Sequence, residues 1–216
     1  MPDSLRLAEA VCSRLGHDIA GPLGTLTGAL ELAVAQRGGV ALTAAAEAGE
    51  ELARRLRLLR AAWGAEGTRL DLARLRELAR GLPGLNRIRI DLTDIPRGTV
   101  FEPPMGRMLL NALLLAAESL PRGGAVALAG PTDGDVLVTI AGPRAAWPAG
   151  LAGCLADPDT AWAALDGPRS VLVPWIALQA GRTGVRMSLL MPVGNPRLAG
   201  PPPLLLHPLP PPAVPG

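Results

Sequence analysis

The first 65 residues contain two long segments in which apolar residues recur every three or four positions, and this pattern limits the fold more than any other feature. The first repeat consists of Ala8, Cys12, Leu15, Ile19, Leu26, Ala29 and Ala33, and the second of Leu42, Ala45, Gly49, Leu52, Leu56, Leu59 and Trp63. Such spacing is typical of amphipathic helices. Because Gly38-Gly39 separates the repeats, the sequence predicts an antiparallel helical hairpin over residues 1–65.

A hairpin of this kind buries its apolar seam on one side only. Two hairpins related by a twofold axis bury the remaining side as a four-helix bundle. We therefore expect a homodimer that pairs through this segment.

The first helix carries His17, one of two histidines in the chain, beside Asp18. Helical spacing turns His17 away from the apolar seam and into solvent. The other residues on its face are mostly small, and they are Ser13, Arg14, Ala20, Gly21, Gly24 and Gly28. Each interior glycine costs about 0.8–1 kcal/mol relative to alanine, so their clustering favours a face that a partner approaches closely. A helix contact through small residues, the alternative, predicts glycines on the seam, where they do not lie.

The pattern changes after Gly64 and Gly67. Residues 87–92 alternate between apolar and polar types, as a half-buried strand does, and Pro103-Pro104 open an apolar helical run. This mixture predicts an α/β two-layer sandwich over residues 66–196. The whole chain is therefore expected to be of the α+β class.

The last segment, residues 197–216, is rich in Pro and Leu. We expect a disordered or polyproline II tail there. His207 falls in this tail without other ligand-type residues nearby, and we assign it no role.

Composition excludes several classes of function. The formal net charge is only +2, and no cluster of Lys and Arg is interleaved with aromatic residues, so nucleic-acid binding is not indicated. No apolar run reaches the roughly 20 residues that span a bilayer, and the first residues lack the pattern of a secretory leader. Cys12 and Cys154 do not make a disulfide framework. We expect a cytoplasmic protein without membrane partners and without a metal or cofactor site.

His17, Asp18 and Pro22-Leu23 form a His-Asp-x-x-x-Pro string inside the predicted hairpin, and an α/β domain follows. This arrangement resembles the core of sensor histidine kinases, in which the histidine accepts a phosphoryl group. Residues 111–124 also resemble the asparagine box of the kinase ATP-binding domain, which implies an ATPase-like fold for the second domain.

The departures from the kinase pattern concern the nucleotide site. The box of the family has a second asparagine, a magnesium ligand, at the position of Leu115. The family also has an aspartate that binds the adenine, but residues 140–144 contain none, and no glycine-rich lid is recognisable in residues 171–184. Because triphosphate chemistry needs a cation at the phosphates, the resemblance implies that the domain does not bind ATP.

A complete histidine box beside a degraded nucleotide pocket is similar to the ChpT family of alphaproteobacterial histidine phosphotransferases, and the likeness is strongest over residues 5–32. The resemblance implies a dimer through the hairpin. It also implies transfer of phosphoryl groups from the receiver domain of a hybrid kinase to response regulators such as the cell-cycle regulator CtrA.

In the implied reaction the imidazole of His17 attacks an aspartyl phosphate. Asp18 then orients or deprotonates the ring, unless it is only a solvated acid. Arg14 either contacts the phosphoryl group or is an ordinary surface arginine. Gly21 and Pro22 shape the approach of the partner, and the receiver domain supplies Mg²⁺.

Two other functions fit the sequence. One is an active histidine kinase with a divergent ATP pocket, and Leu115 argues against it. The other is a dimeric scaffold or anti-kinase that transfers nothing and tolerates replacement of His17. Labelling by ATP would distinguish an active kinase from a phosphotransferase. Labelling of His17 by a phosphorylated receiver domain would distinguish a phosphotransferase from a scaffold.

Overall fold

A computed structural model describes residues 2–36, 39–64, 67, 69–130, 134–165, 167, 170–190 and 200–210. The first two helices, α1 (Pro2–Gln36) and α2 (Gly39–Trp63), pack side by side as the predicted hairpin. A Cβ at Gly49 of α2 would lie 3.9 Å from Leu26 of α1, an ordinary van der Waals distance, so the two helices are in contact at this level. No described helix combines the length and apolarity that a bilayer crossing requires.

The covered face of α1 differs from the predicted one in its first turns. Ala8 and Cys12 are exposed, whereas their neighbours Leu7 and Val11 are partly covered. The reason is that this part of α1 contacts the second domain as well as α2. The guanidinium of Arg6, for example, donates a hydrogen bond to the carbonyl of a residue far along the chain, Leu165.

One face of the hairpin leaves apolar side chains in solvent along much of its length. They share one stripe on each helix, namely Leu23, Leu30 and Val34 on α1 and Leu42 and Leu56 on α2, with Ala46 and Ala53 between the last two. Val34 is 81% exposed, and Val40 near the start of α2 is 87% exposed. A set of exposed apolar residues of this size is typical of an interaction surface.

The second domain contains a five-stranded sheet with helices against one face. Its elements are β1 (Leu70–Asp71), α3 (Leu72–Ala79), β2 (Ile88–Asp94), β3 (Val100–Phe101), α4 (Pro103–Glu118), β4 (Gly124–Ala129), β5 (Val136–Ala141), α5 (Leu151–Ala156), α6 (Pro158–Ala163), α7 (Leu172–Thr183), β6 (Val185–Leu189) and β7 (Leu204–Pro208), with a 3₁₀ turn at Leu85–Arg87. The strand order is β2-β4-β5-β7-β6, in which only β2 and β4 run parallel. The predicted α+β class is confirmed.

The prediction of a disordered or polyproline II tail over residues 197–216 is wrong for the part that the structure describes. That segment supplies β7, which lies inside the sheet and pairs antiparallel with β5 on one side and β6 on the other. Leu204 and Leu206 point into the core and are fully buried, with the period of two that a strand requires. The prolines at 201–203 precede the strand and therefore remove none of its ladder hydrogen bonds.

His207 also differs from the prediction, which gave it no role. Its Nδ1 lies 2.6 Å from Oδ1 of Asp135, the residue just before β5. This contact joins two adjacent strands at their ends, so His207 has a structural partner.

The core centres on α4, which is buried on nearly all sides. One side of α4 packs against the sheet and α7, and another packs against the last turns of α2. Leu58, Leu59 and Ala62 of α2 belong to the same core cluster as α4. The base of the hairpin is therefore part of the core of the second domain, and this fixes the position of the helices relative to the sheet.

Candidate functional site

His17 lies on the outer face of α1, where its side chain is 64% exposed, as the helical phase predicts. Its Nδ1 lies 3.4 Å from Oδ1 of Asp18, the next residue along the helix. Within the described ranges, no residue hydrogen-bonds Nε2. One ring nitrogen therefore faces a carboxylate while the other faces solvent, and a neutral imidazole in that arrangement is a nucleophile that a partner can reach.

Asp18 connects His17 to the rest of the molecule. Its side chain is largely buried, and Oδ2 accepts a hydrogen bond of 2.8 Å from Nε of Arg14, one turn earlier. A terminal nitrogen of the same guanidinium binds the carboxylate of Glu118, the last residue of α4. The four side chains thus form one continuous series, in which Asp18 touches His17 at one oxygen and Arg14 at the other.

Burial and charge have opposite effects on this group. Burial raises the pKa of the Glu118 carboxyl, and the adjacent Arg14 guanidinium offsets only part of the rise. Burial also acts to lower the pKa of Arg14, but its hydrogen bond to Asp18 and the charge of Glu118 leave that pKa above its ordinary value. Arg14 therefore keeps its positive charge and holds the Asp18 carboxylate in place.

The face of α1 around His17 is open. Four glycines have no atom of a neighbouring element within 4 Å of the place where a Cβ would stand: Gly16, Gly21, Gly24 and Gly28. The helix continues through Pro22, whose ring has no N–H to donate to the carbonyl of Asp18. The glycines therefore leave room for a second molecule beside His17. The specific contributions of Gly21 and Pro22 stay predictions.

The kinase-like asparagine box has a structural role in the second domain. Asn111 is fully buried, and its amide nitrogen donates to the carbonyls of Ala62 and Arg107 at 3.1 and 2.9 Å. Its Oδ1 accepts a 3.0 Å hydrogen bond from the indole of Trp63. These bonds occupy the Asn111 amide and tie α2 to α4. Leu115, at the position of the kinase magnesium ligand, is fully buried in the core.

Glu118 is the member of the site that the sequence interpretation missed. Its signal was present, because it is the only acid in α4 and the last residue of a mainly apolar helix. A carboxylate at a helix C-terminus is unfavourable beside the negative end of the helix dipole, so a cation was to be expected nearby. Local sequence patterns could not identify that cation as Arg14, because Arg14 lies 104 residues earlier in the chain.

Comparisons with known proteins identify relatives of this chain. The family of histidine phosphotransferase C-terminal domains matches residues 72–192, more than half of the chain. The chain is 27% identical over 148 residues to "Protein phosphotransferase ChpT" of Brucella abortus (strain 2308). The matched region covers 64% of this chain and 69% of that protein.

The fold is shared with a solved structure. One is a bacterial phosphotransferase with a TM-score of 0.65 and 23% identity, over 94% of this chain and 95% of the other. A histidine kinase from Burkholderia phymatum STM815 aligns over 95% of each chain with a TM-score of 0.34 and 17% identity, a likeness that carries no argument. From the matched family domain and the ChpT relative we conclude that this chain is a ChpT-type member of the histidine phosphotransferase family.

Proposed function

We propose that the chain relays a phosphoryl group through His17 between the receiver domains of partner proteins. The donor is the aspartyl phosphate of a receiver domain on a hybrid histidine kinase. The acceptors are aspartates of response regulators of the CtrA-like, cell-cycle type. The observation that carries the proposal is the exposed imidazole of His17, held at Nδ1 by Asp18 and open at Nε2.

In the first transfer, the lone pair of Nε2 attacks phosphorus, and the bond from phosphorus to the donor aspartate breaks. The donor carboxylate leaves with the electron pair, and the ring becomes a positively charged phosphohistidine. Asp18 holds the Nδ1 proton before the attack and stabilises the cation after it. In the second transfer, the acceptor carboxylate attacks phosphorus and the neutral imidazole of His17 leaves.

Arg14 and Glu118 act through Asp18 in this proposal. The Arg14 guanidinium already binds two carboxylates, so it fixes the direction of the Asp18 side chain. The predicted contact of Arg14 with the phosphoryl group stays a prediction, and it requires Arg14 to release one of those carboxylates. Glu118 anchors the arginine from the second domain and thereby couples the two parts of the chain.

The proposal assigns neither ATP nor a resident metal to this chain. Leu115 has no oxygen to offer a cation, and the Asn111 amide is already bonded within the protein. Both observations support transfer that begins from an aspartyl phosphate and not from a nucleotide. The receiver domain then supplies the Mg²⁺ that neutralises the charge of the transferred group.

We also propose that two copies of the chain pair through the exposed apolar stripes of α1 and α2. The stripes contain Leu30 and Val34 on one helix and Leu42 and Leu56 on the other. Pairing about a twofold axis covers both stripes at once in a four-helix bundle. The proposal requires that the face of α1 with His17 stays accessible in this arrangement, so that receiver domains can reach the imidazole.

The decisive experiment is transfer of labelled phosphate from a phosphorylated receiver domain. We expect wild-type protein to become labelled and His17→Ala to lose all labelling while it keeps its circular dichroism spectrum. His207→Ala is the matched control, because His207 also has an aspartate at Nδ1 but lies in β7. Labelling of His17→Ala would exclude the proposed relay.

Incubation with labelled ATP and Mg²⁺ tests the kinase alternative. We expect no incorporation into the wild-type protein alone. Incorporation that disappears in His17→Ala would mean that the chain is a kinase with an altered pocket. If neither ATP nor a phosphorylated receiver labels His17, the scaffold alternative replaces the proposal.

A further inference from the structure

A cavity of about 530 Å³ lies where α2 meets the turn that follows α3. Three arginines line it, together with one carboxylate and polar or backbone groups of the turn: Arg54, Arg55, Arg80, Glu51, Gly81 and Asn86. The formal charge of these side chains is therefore positive. The volume lies in the usual range of small-molecule sites.

Arg55 is the unusual member of this set. Its side chain is only 8% exposed, yet it forms no ion pair within the part of the chain that the structure describes. Its one hydrogen bond runs from Nε to the carbonyl of Gly81 at 2.6 Å. The terminal nitrogens of the guanidinium have no bond of this kind to a described residue. A largely buried charge without an ion pair is costly, and an anion in the cavity would compensate it.

The charges around Arg55 do not remove this imbalance. Burial lowers the pKa of Arg55, and the more distant carboxylates of Asp18 and Glu51 offset only part of the effect. The positive charge of Arg14 adds to the lowering. Arg54 binds Glu50 through Nη1 at 3.1 Å on the solvent side, and no described residue forms an ion pair with Arg80.

The backbone holds the two walls of the cavity together. A Cβ at Gly81 would stand 2.4 Å from the carbonyl oxygen of Arg54, closer than real Cβ atoms approach. Only glycine at this position lets the turn after α3 lie against α2. The carbonyl of the same glycine receives the Nε hydrogen bond of Arg55 and so fixes the direction of its guanidinium.

We propose that this cavity binds a phosphate group, either inorganic phosphate or the phosphate of a small metabolite. Arg55 is the buried anchor, and Arg54 and Arg80 close around the bound group. The fork of N–H groups on a guanidinium matches two oxygens of a phosphate. Even with Glu50, which pairs with Arg54, three arginines face two carboxylates, so the formal charge stays positive and favours an anion. The inference does not depend on transfer through His17, since His17 is not among the lining residues.

The test is thermal unfolding of the full chain with added anions at constant ionic strength. About 10 mM inorganic phosphate is expected to raise the unfolding midpoint of the wild type, because a ligand of the native state stabilises it. Acetate is expected to have no effect. Glycerol 3-phosphate separates the two sources, since a larger shift than with inorganic phosphate identifies a phosphorylated metabolite.

Variants identify the site. Arg55→Met is expected to abolish the phosphate effect, and an apolar side chain is tolerated at a buried ionic position. The exposed Arg80→Gln is expected to weaken phosphate binding about tenfold, the loss of roughly one charged hydrogen bond. Arg57→Gln, on the outer face of α2, is the control and is expected to behave as wild type. Absence of a phosphate effect in the wild type, an equal effect of acetate, or an unchanged effect in both cavity variants would overturn the proposal.

Discussion

The two ends of the helical hairpin have similar sequence patterns but opposite surroundings. At the base, Leu58, Leu59 and Ala62 of α2 are buried in the core of the second domain. At the other end, Val34, Val40 and Leu42 lie mostly in solvent. Apolar periodicity therefore predicts that a helix face is buried, but it does not identify the surface that buries it. At the base, the second domain of the same chain buries this face. At the other end, we expect a second copy of the chain to bury it.

The largest effect is expected at the base. Leu58→Ala removes a fully buried side chain and should lower the free energy of unfolding by about 2–5 kcal/mol. Urea unfolding measures the loss. Leu190→Ala, at an exposed leucine after β6, is the control and should stay within about 0.5 kcal/mol of wild type. Equal losses in the two variants would mean that the hairpin base is not part of the core.

A smaller loss is expected from the polar link between hairpin and domain. Asn111→Ala leaves the Trp63 indole and the Ala62 carbonyl without their buried partner, which should cost about 1–3 kcal/mol. The near-ultraviolet circular dichroism of Trp63 should also change. The same indole donates the hydrogen bond to Asn111 and packs edge-on against Trp175, so loss of the bond alters its orientation. Asn86→Ala, at an exposed asparagine, provides the reference. Unchanged stability in Asn111→Ala would contradict the role of Asn111 as a link.

At the remote end, the expected change is in association. Leu42→Glu places a charge in the proposed pairing surface and should raise the dimer dissociation constant at least tenfold, or about 1.4 kcal/mol. Light scattering across a dilution series measures it. Glu47→Gln on the charged face of α2 should leave the constant unchanged. If the wild-type protein were monomeric at every concentration, a second copy could not be what covers the remote end of the hairpin.

The smallest effect concerns pH. Burial raises the pKa of Glu118 above its unfolded value, so its contribution to stability is complete below the ordinary carboxyl pKa and is lost as pH rises through the raised value. Wild type should therefore lose stability relative to Glu118→Gln as pH rises above about 4.5, the ordinary pKa of the carboxyl. Glu77→Gln, exposed on α3, controls for removal of an acid. Parallel stability curves for wild type and Glu118→Gln would show that Glu118 is not buried in solution.

Local patterns in the sequence were sufficient for most of the fold. The hairpin, the strand near residues 88–94 and the proline-opened helix α4 follow from spacing and from end signals that act over a few residues. Strand β7 could not be found in this way. Its leucines stand between prolines, and only pairing with β5 and β6 makes that segment extended and buried.

The candidate site was predictable in part for the same reason. Exposure of His17 follows from the phase of one helix, and the structure confirms it. The link from Asp18 through Arg14 to Glu118 depends on a contact between distant parts of the chain. The buried guanidinium of Arg55 was equally hidden, because by spacing it belongs to the charged outer face of α2 and only the turn at Gly81 covers it.

The position of β7 has a consequence for synthesis on the ribosome. Within the described sheet β6 pairs only with β7, and β7 is the last strand of this sheet in chain order. Until residue 208 has left the exit tunnel, the nascent sheet has an unpaired edge at β5 and a detached β6. Completion of the sheet therefore waits for translation of β7, whereas the hairpin helices emerge before the sheet and meet solvent, or a sister chain, before the second domain is complete.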